Sequence, residues 1–353
     1  MIEFFESQKS KIQFFLADFL KQRATELSDV NPWGGDACRR LEEFSSRGKM
    51  IRGGLLMLSG LLFKDTPGGA PVQAAGAVEL LQSAFLIHDD IMDQDETRRG
   101  QPTLFSQYNQ LGEREAISEA RRLGESLSMC VGDISFFLMV EILTGLDTPV
   151  AIKQKLLNLC AREITSTCTA QMQDVYWGYY RGDVSEEEIM GLYLHKTGRY
   201  TFSLPLLLGG LLTTQGQGTL NQLEKLGEIE GVVFQIKDDE LGLFGTEEQI
   251  GKPVGSDIRE AKRTLFYHHL VRSTSDEQRD NLANIFGCHD LRTDDIAYVR
   301  NLIEELGIRK ELHNRAADLT DQAQSLLSDL PGVRSEYREI LQQFIGYNLN
   351  RTA

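Results

Sequence analysis

Two short acidic clusters are the residues in this 353-residue chain most suited to chemistry. In VELLQSAFLIHDDIMDQDETRRGQPT, 78–103, Asp89 and Asp93 lie four residues apart and share one face of a helix, with Asp90 turned about 100° away. Carboxylates stacked on one face repel each other, and a divalent cation between them removes the repulsion. Mg²⁺ suits the arrangement, because it takes one or two protein carboxylates and completes its shell with water and phosphate oxygens. Arg98 and Arg99 follow in a turn rich in Gly and Pro, where a planar guanidinium can grip a phosphate at two points. A second cluster stands in FQIKDDELGLFG, 234–245: Asp238 and Asp239 follow another apolar helix, with Gln235 one turn earlier. Either cluster alone reads equally well as a solvated helix end. Two of them facing each other across a helical bundle would clamp Mg²⁺ and one diphosphate.

The basic positions fit the same picture. Lys49 and Arg52 lie three apart where an apolar helix begins, so both can reach one anion near its amino terminus; the competing account is a pair of surface side chains. Lys196 and Thr197 sit in LYLHKTGRY, an apolar setting where a lysine without a partner would be costly to bury and an anion would remove the cost. Lys252 and Lys262 follow the second acidic cluster, where a solvated loop competes. His88, His195, His268 and His269 lack the neighbours of a catalytic triad or a zinc site and read as structural or solvent-facing. Trp33 and Trp177 read as packing anchors.

The elements that must carry these side chains are helices. Helical periodicity dominates and alternating strand patterns are absent. The stretches 71–95, 117–144 and 150–180 read as long apolar helices, and Ser185 with Glu186, Glu187 and Glu188 forms a capping box that opens a helix running to Leu208. Glycines and prolines punctuate roughly a dozen helices. Long helices without strands imply a bundle whose central members are covered all round. Hydrophobic residues at 41% and charged residues at 25% fit a folded domain with a sizeable core. The formal charge of -15 argues against nucleic acid as a partner. No run approaches the roughly 18 uninterrupted apolar residues of a membrane span, and the first ten residues lack signal-peptide order, so no integral membrane segment is expected. The five cysteines are odd in number and include no C-x-x-C pair, which reads as reduced thiols in a cytoplasmic protein.

Taken in order, GK-x-x-R, DDIMD, RRGQPT, KT and FQIKDD resemble the trans-isoprenyl diphosphate synthases, the farnesyl and geranylgeranyl diphosphate synthase type, from about Gly48 to Arg263. The resemblance implies an all-α fold: a single-domain helical bundle over 1–353 with a central active-site cavity, a motif-bearing core at about 48–263 and carboxy-terminal helices at about 295–350. It implies that Asp89, Asp93 and Asp238 bind Mg²⁺, three ions per site with substrate bound, supported by Asp90 and Asp239, and that Gln171 and Asp174 form an additional polar wall. Arg98, Lys196 and Lys252 would hold an allylic diphosphate (dimethylallyl, geranyl or farnesyl), with Thr197, Gln235 and Lys262 nearby. Lys49, Arg52, Gln82 and Arg99 would hold isopentenyl diphosphate. The resemblance also implies a homodimer. Three positions depart from the pattern: Gly242 stands where the second motif ends in a third aspartate, Gly53 replaces a proline and Ala170 a glycine.

The chemistry explains why no nucleophile is present. Fixed positive charge stabilises the diphosphate as it leaves, an allylic carbocation forms, and the double bond of isopentenyl diphosphate attacks it. The remaining walls must exclude water, and Phe234 is a candidate for cation–π contact. Phe85 lies about 6 Å down the helix from Asp89. Ala84, one residue earlier, occupies a position often aromatic in farnesyl-making relatives, so a deeper pocket and a twenty-carbon product are expected. Farnesyl or longer products, a class I terpene cyclase, and a partner subunit of a heteromeric synthase are the alternatives. A cyclase would need one substrate and an Asn/Ser/Glu metal triad.

Overall fold

A computed structural model describes residues 1–64, 68–180, 182–246, 254–288 and 290–352. The helices in chain order are α1 (Ile2–Ser28), α2 (Pro32–Ser46), α3 (Ile51–Phe63), α4 (Ala70–Met92), α5 (Leu104–Arg114), α6 (Ala120–Gly145), α7 (Val150–Tyr179) and α8 (Glu186–Leu192). A π-helix, π1 (Tyr193–Ser203), leads into α9 (Leu204–Leu212), then α10 (Gln217–Phe244), α11 (Ser256–Arg259), α12 (Leu265–Ser273), α13 (Asp276–Ile285), α14 (Thr293–Glu305), α15 (Ile308–Ser328) and α16 (Ser335–Asn350). The expected all-α class holds. The three long helices read from the sequence are α4, α6 and α7. The capping box is present, with the Ser185 side chain accepting from the Glu188 N–H and the Glu188 carboxylate accepting from the Ser185 N–H.

Two details differ from the sequence reading. The RRGQPT segment forms a two-stranded antiparallel ribbon, β1 (Thr97–Arg98) and β2 (Gln101–Pro102), too short to leave an alternating pattern. Its turn residues Arg99 and Gly100 both take positive φ, 53° and 69°, as a tight hairpin turn requires. The run expected as one helix from Ser185 to Leu208 widens in its middle into π1, a rare conformation that is frequent at functional sites.

The chain divides into two compact units. The first comprises 1–159, 205–216 and 333–337. Its centre is α4, which packs on α6, α3 and α1. Alanines and glycines let these helices approach: a Cβ on Gly76 would lie 2.7 Å from the Phe15 ring, and one on Gly132 would lie 2.3 Å from the His88 ring. Leu80, Leu81, Ala84 and Ile87 are buried, each large aliphatic group contributing about 1.5–3 kcal/mol. α4 and α6 are long and apolar enough to cross a membrane by length and composition; 67% of the apolar window of α4 is buried in the protein, against 44% for α6. The second unit comprises 160–204, 217–332 and 338–353. Here α10 packs on π1 and α15, over a core that includes Val233, Ile236, Leu265, Phe266 and Leu312. Cys38 and Cys160 are packing residues whose thiols burial pushes up to about 11 and about 12, whereas Cys130 and Cys168 are exposed. Trp177 is a buried anchor, but Trp33 is about half exposed.

Candidate functional site

In the first unit the acidic cluster occupies the end of α4. Asp89 and Asp90 lie in its last turn, and Asp93 is the C-cap, its N–H donating to the Asp89 carbonyl at 2.8 Å. Its φ and ψ of -83° and -7° remain close to helical, so the four-residue spacing survives. Carboxylates at this end oppose the helix dipole, which favours cations there. Arg98 is the protein's own answer. Its Nε donates to Asp90 Oδ1, and its Nη2 lies 3.6 Å from Asp89 and 3.7 Å from Asp95. Asp90 is buried; burial raises its pKa to about 7 despite Arg98, and the like charges of Asp89 and Asp95 add to the rise. Asp90 Oδ2 is buried without a hydrogen-bond partner.

The ribbon explains how two adjacent arginines serve different places. Arg98 on β1 turns back to Asp90, while Arg99 at the tip lies near Gly48, where an added Cβ would be 3.4 Å from Arg99 Nη1. Arg52 is in the first turn of α3, and Lys49, exposed, lies just before its cap, Met50. Near Arg52 and Arg99 sits Glu79, a residue the sequence reading missed. It is buried on α4 and accepts from the Gly53 N–H at 2.7 Å. Burial raises its pKa, and the charges of Arg52 and Arg99 act against that rise. Arg52 and Arg99 thus act on one buried acid beside the amino terminus of α3, and Lys49 lies just before that helix, a local excess of positive charge suited to an anion. Met50, Gln94 and Arg99 all take positive φ beside these two clusters, a cost tolerated where function fixes the backbone. Gln82, Ala84 and Phe85 lie lower on α4, with Ala84 fully buried and Phe85 meeting Phe136 edge-to-face at 5.4 Å. His88 stacks on Phe136 and lies 3.4 Å from Asp133.

In the second unit the predicted residues form a hydrogen-bonded chain. Thr197 Oγ1 donates to Gln235 Oε1 at 2.7 Å, and Gln235 Nε2 donates to Asp239 Oδ1 at 2.8 Å. The Tyr193 hydroxyl donates to Asp239 Oδ2 and accepts from the Leu265 N–H. Lys196 pairs with Asp174. Asp238 points outward from α10, its side chain 56% exposed, whereas Asp239 is buried. Burial and then the neighbouring charge of Asp257 raise Asp239 well above the carboxylate range.

Asp257 also bears on the missing third aspartate. A Cβ on Gly242 would lie 2.8 Å from Asp257 Oδ2, so a carboxylate from α11 stands against the position that the shortened motif leaves bare. Lys262 is close to the same group, 3.9 Å from Asp257 and 2.8 Å from Glu260. Lys252 lies outside the described residues. Arg351 was missed altogether. Its Nη2 donates to Asp238 Oδ1 at 3.0 Å and to the Phe234 carbonyl at 3.1 Å, and its guanidinium lies 3.9 Å from the centroid of the Phe234 ring. Phe234, the candidate for a cation–π contact, thus makes one with Arg351.

The donor set of both acidic clusters is oxygen only and fits Mg²⁺. Among the described residues no three His, Cys, Asp or Glu side chains form a ready-made metal cluster. Among the described residues no Asn/Ser/Glu set replaces the second acidic pair, as a terpene cyclase would need; Asp238 and Asp239 stand there instead.

The polyprenyl synthetase family model matches residues 39–305. The chain is 31% identical to the short chain isoprenyl diphosphate synthase of Methanothermobacter thermautotrophicus, over 92% of this chain and 93% of that one. It is 27% identical to the geranylgeranyl diphosphate synthase of Saccharolobus solfataricus, over 99% and 97%. The crystal structure of geranylgeranyl pyrophosphate synthase from Corynebacterium glutamicum, complexed with isoprenyl diphosphate and magnesium, superposes with a TM-score of 0.90 at 26% identity, covering 99% of each chain. The match spans both acidic clusters and every basic position singled out from the sequence, and the chain belongs to the polyprenyl synthetase family.

Proposed function

We propose that this trans-prenyltransferase condenses isopentenyl diphosphate with an allylic diphosphate and makes geranylgeranyl diphosphate, working as one domain and as a homodimer in the cytoplasm. The observation that carries the reading is the end of α4, where Asp89, Asp90 and Asp93 gather against the helix dipole with Arg98 beside them. Asp89, Asp93 and Asp238 would hold Mg²⁺, with three ions per site. The ions supply positive charge to a leaving diphosphate. Arg98, Lys196 and Lys262 add fixed charge to the allylic diphosphate, and Lys252 is assigned the same role. Thr197 and Gln235 orient it. Lys49, Arg52 and Arg99, with Gln82, hold isopentenyl diphosphate so that its double bond meets the cationic carbon. The released diphosphate takes the proton lost afterwards.

The twenty-carbon product is inferred from Ala84 and from the relatives' names. The homodimer reading draws support from α6, whose Met129, Phe137 and Val140 are exposed along a helix apolar enough to demand cover. A partner-subunit role rests on Gly242, and the Asp257 carboxylate beside that glycine weakens it. The test is incubation of the purified protein alone with labelled isopentenyl diphosphate and each allylic primer, with Mg²⁺ or chelator, followed by product sizing. Metal-dependent formation of a twenty-carbon product is expected. No product from any primer would overturn the assignment.

A further inference from the structure

The π-helix that carries Lys196 and Thr197 is cross-linked to α7 at two places, and the two links differ in kind. Lys196 pairs with Asp174, and both side chains keep some exposure, 26% and 13%. Arg199, three residues on, pairs with Glu163, whose side chain is 1% exposed. Its Nε and Nη2 donate to the two oxygens of Glu163 at 2.8 and 2.9 Å, a two-pronged contact. Its Nη2 also reaches Glu224 at 2.6 Å, and its Nη1 donates to Glu228, both on α10. Burial on its own would raise the Glu163 pKa, and Arg199, joined by Arg162 whose Nε donates to Glu163 Oε1 at 2.9 Å, more than offsets this and holds it below the ordinary value. Glu163 and Asp174 are eleven residues apart, three full turns, so they lie on one face of α7.

A π-helix packs less well than an α-helix and persists only where contacts demand it. On α10 the demand is close approach, since a Cβ on Gly231 would fall 2.0 Å from Gly198 Cα. On α7 it is the Arg199–Glu163 contact, with Thr167 donating to the His195 carbonyl at 3.3 Å. We propose that Arg199, through Glu163, is a positioning residue: it fixes the register of π1 against α7 so that Lys196 can exchange Asp174 for the allylic diphosphate. The pair closed on the buried Glu163 is the fixed link and the partly exposed Lys196–Asp174 pair the exchangeable one. This rests on the assignment of Lys196 to that diphosphate.

The test uses Glu163→Gln and Arg199→Lys, each alone and combined with Lys196→Ala, with KM measured separately for the allylic primer and for isopentenyl diphosphate. Thermal unfolding confirms which variants are folded; Glu163→Gln keeps shape and one acceptor and carries the test if Arg199→Lys does not fold. The expected result is an allylic KM raised about tenfold or more, an isopentenyl KM within about twofold, and almost no further loss when Lys196 is already Ala, because residues acting through one another are not additive. Equal changes in both KM values, full additivity with Lys196→Ala, or no change in the folded variants would overturn the proposal. If Lys196→Ala alone leaves the allylic KM unchanged, the assignment of Lys196 fails and this inference falls with it. If Lys196→Ala raises it and Glu163→Gln does not, only the inference fails.

Discussion

Replacing Arg351 by Ala should make Mg²⁺ bind more tightly. Arg351 donates to Asp238 Oδ1 at 3.0 Å, on a carboxylate assigned to the metal, and lies over the Phe234 ring at 3.9 Å. A cation on that carboxylate competes with the Arg351 hydrogen bond, and withdrawal of the guanidinium also gives up its contact with Phe234. A charge-assisted hydrogen bond is worth about 1.5–3 kcal/mol when shielded. Asp238 is 56% exposed, which reduces that to about 0.5–1 kcal/mol. The cation–π contact adds about 0.5–1 kcal/mol. The sum of about 1–2 kcal/mol corresponds to roughly 5–30-fold in affinity. Calorimetric titration of Mg²⁺ in the presence of inorganic diphosphate should show that gain for Arg351→Ala and little of it for Arg351→Lys, which keeps the charge. An unchanged or weaker affinity in Arg351→Ala would refute the reasoning and would make Arg351 a contributor to the metal complex.

Three further outcomes are expected. Ala84→Phe should shorten the principal product by one or more five-carbon units, as read by chromatographic sizing; because Ala84 is fully buried, it should also cost about 1–3 kcal/mol in chemical denaturation. Glu230, which accepts from Asn348 at 3.0 Å, is raised by burial from 4.5 to about 8. The folded protein therefore keeps a proton that the unfolded chain releases, so this group's contribution is fully present below pH 4.5 and is lost as pH rises toward about 8, at up to about 1.4 kcal/mol per unit. Glu230→Gln should match the parent near pH 5 and unfold at higher temperature near pH 8, and parallel curves would contradict the account. Gly231→Ala should destabilise by more than about 2 kcal/mol, since its Cβ would meet Gly198 Cα at 2.0 Å, and should lower activity through π1; a neutral substitution would argue against the close approach.

The parts of this protein legible in its sequence are those where local spacing carries the chemistry. Asp89 and Asp93 are four apart, and a helix of any origin puts them on one face. Gly and Pro around Arg98 and Arg99 announce a turn, and Ser185 with Glu188 announces a helix start. The ribbon escaped because two residues per strand cannot alternate visibly, and π1 escaped because its widening leaves no period in side-chain type. Arg351 and Asp257 escaped for a different reason. Arg351 is 113 residues from the aspartate it pairs with, and Asp257 belongs to a four-residue helix with no pattern of its own. Only the folded chain brings them to Asp238 and Gly242. Phe234 shows the converse: its chemistry was readable, but its partner Arg351 was not.

The central claim is that Asp89, Asp93 and Asp238 act on one diphosphate through Mg²⁺. The most direct measurement is a crystal structure grown with Mg²⁺ and an unreactive allylic diphosphate analogue. The account predicts metal at about 2.0–2.1 Å from oxygens of all three aspartates, with Arg351 withdrawn from Asp238. Metal bound away from these carboxylates, or Arg351 still seated on Asp238 with the analogue in place, would contradict it.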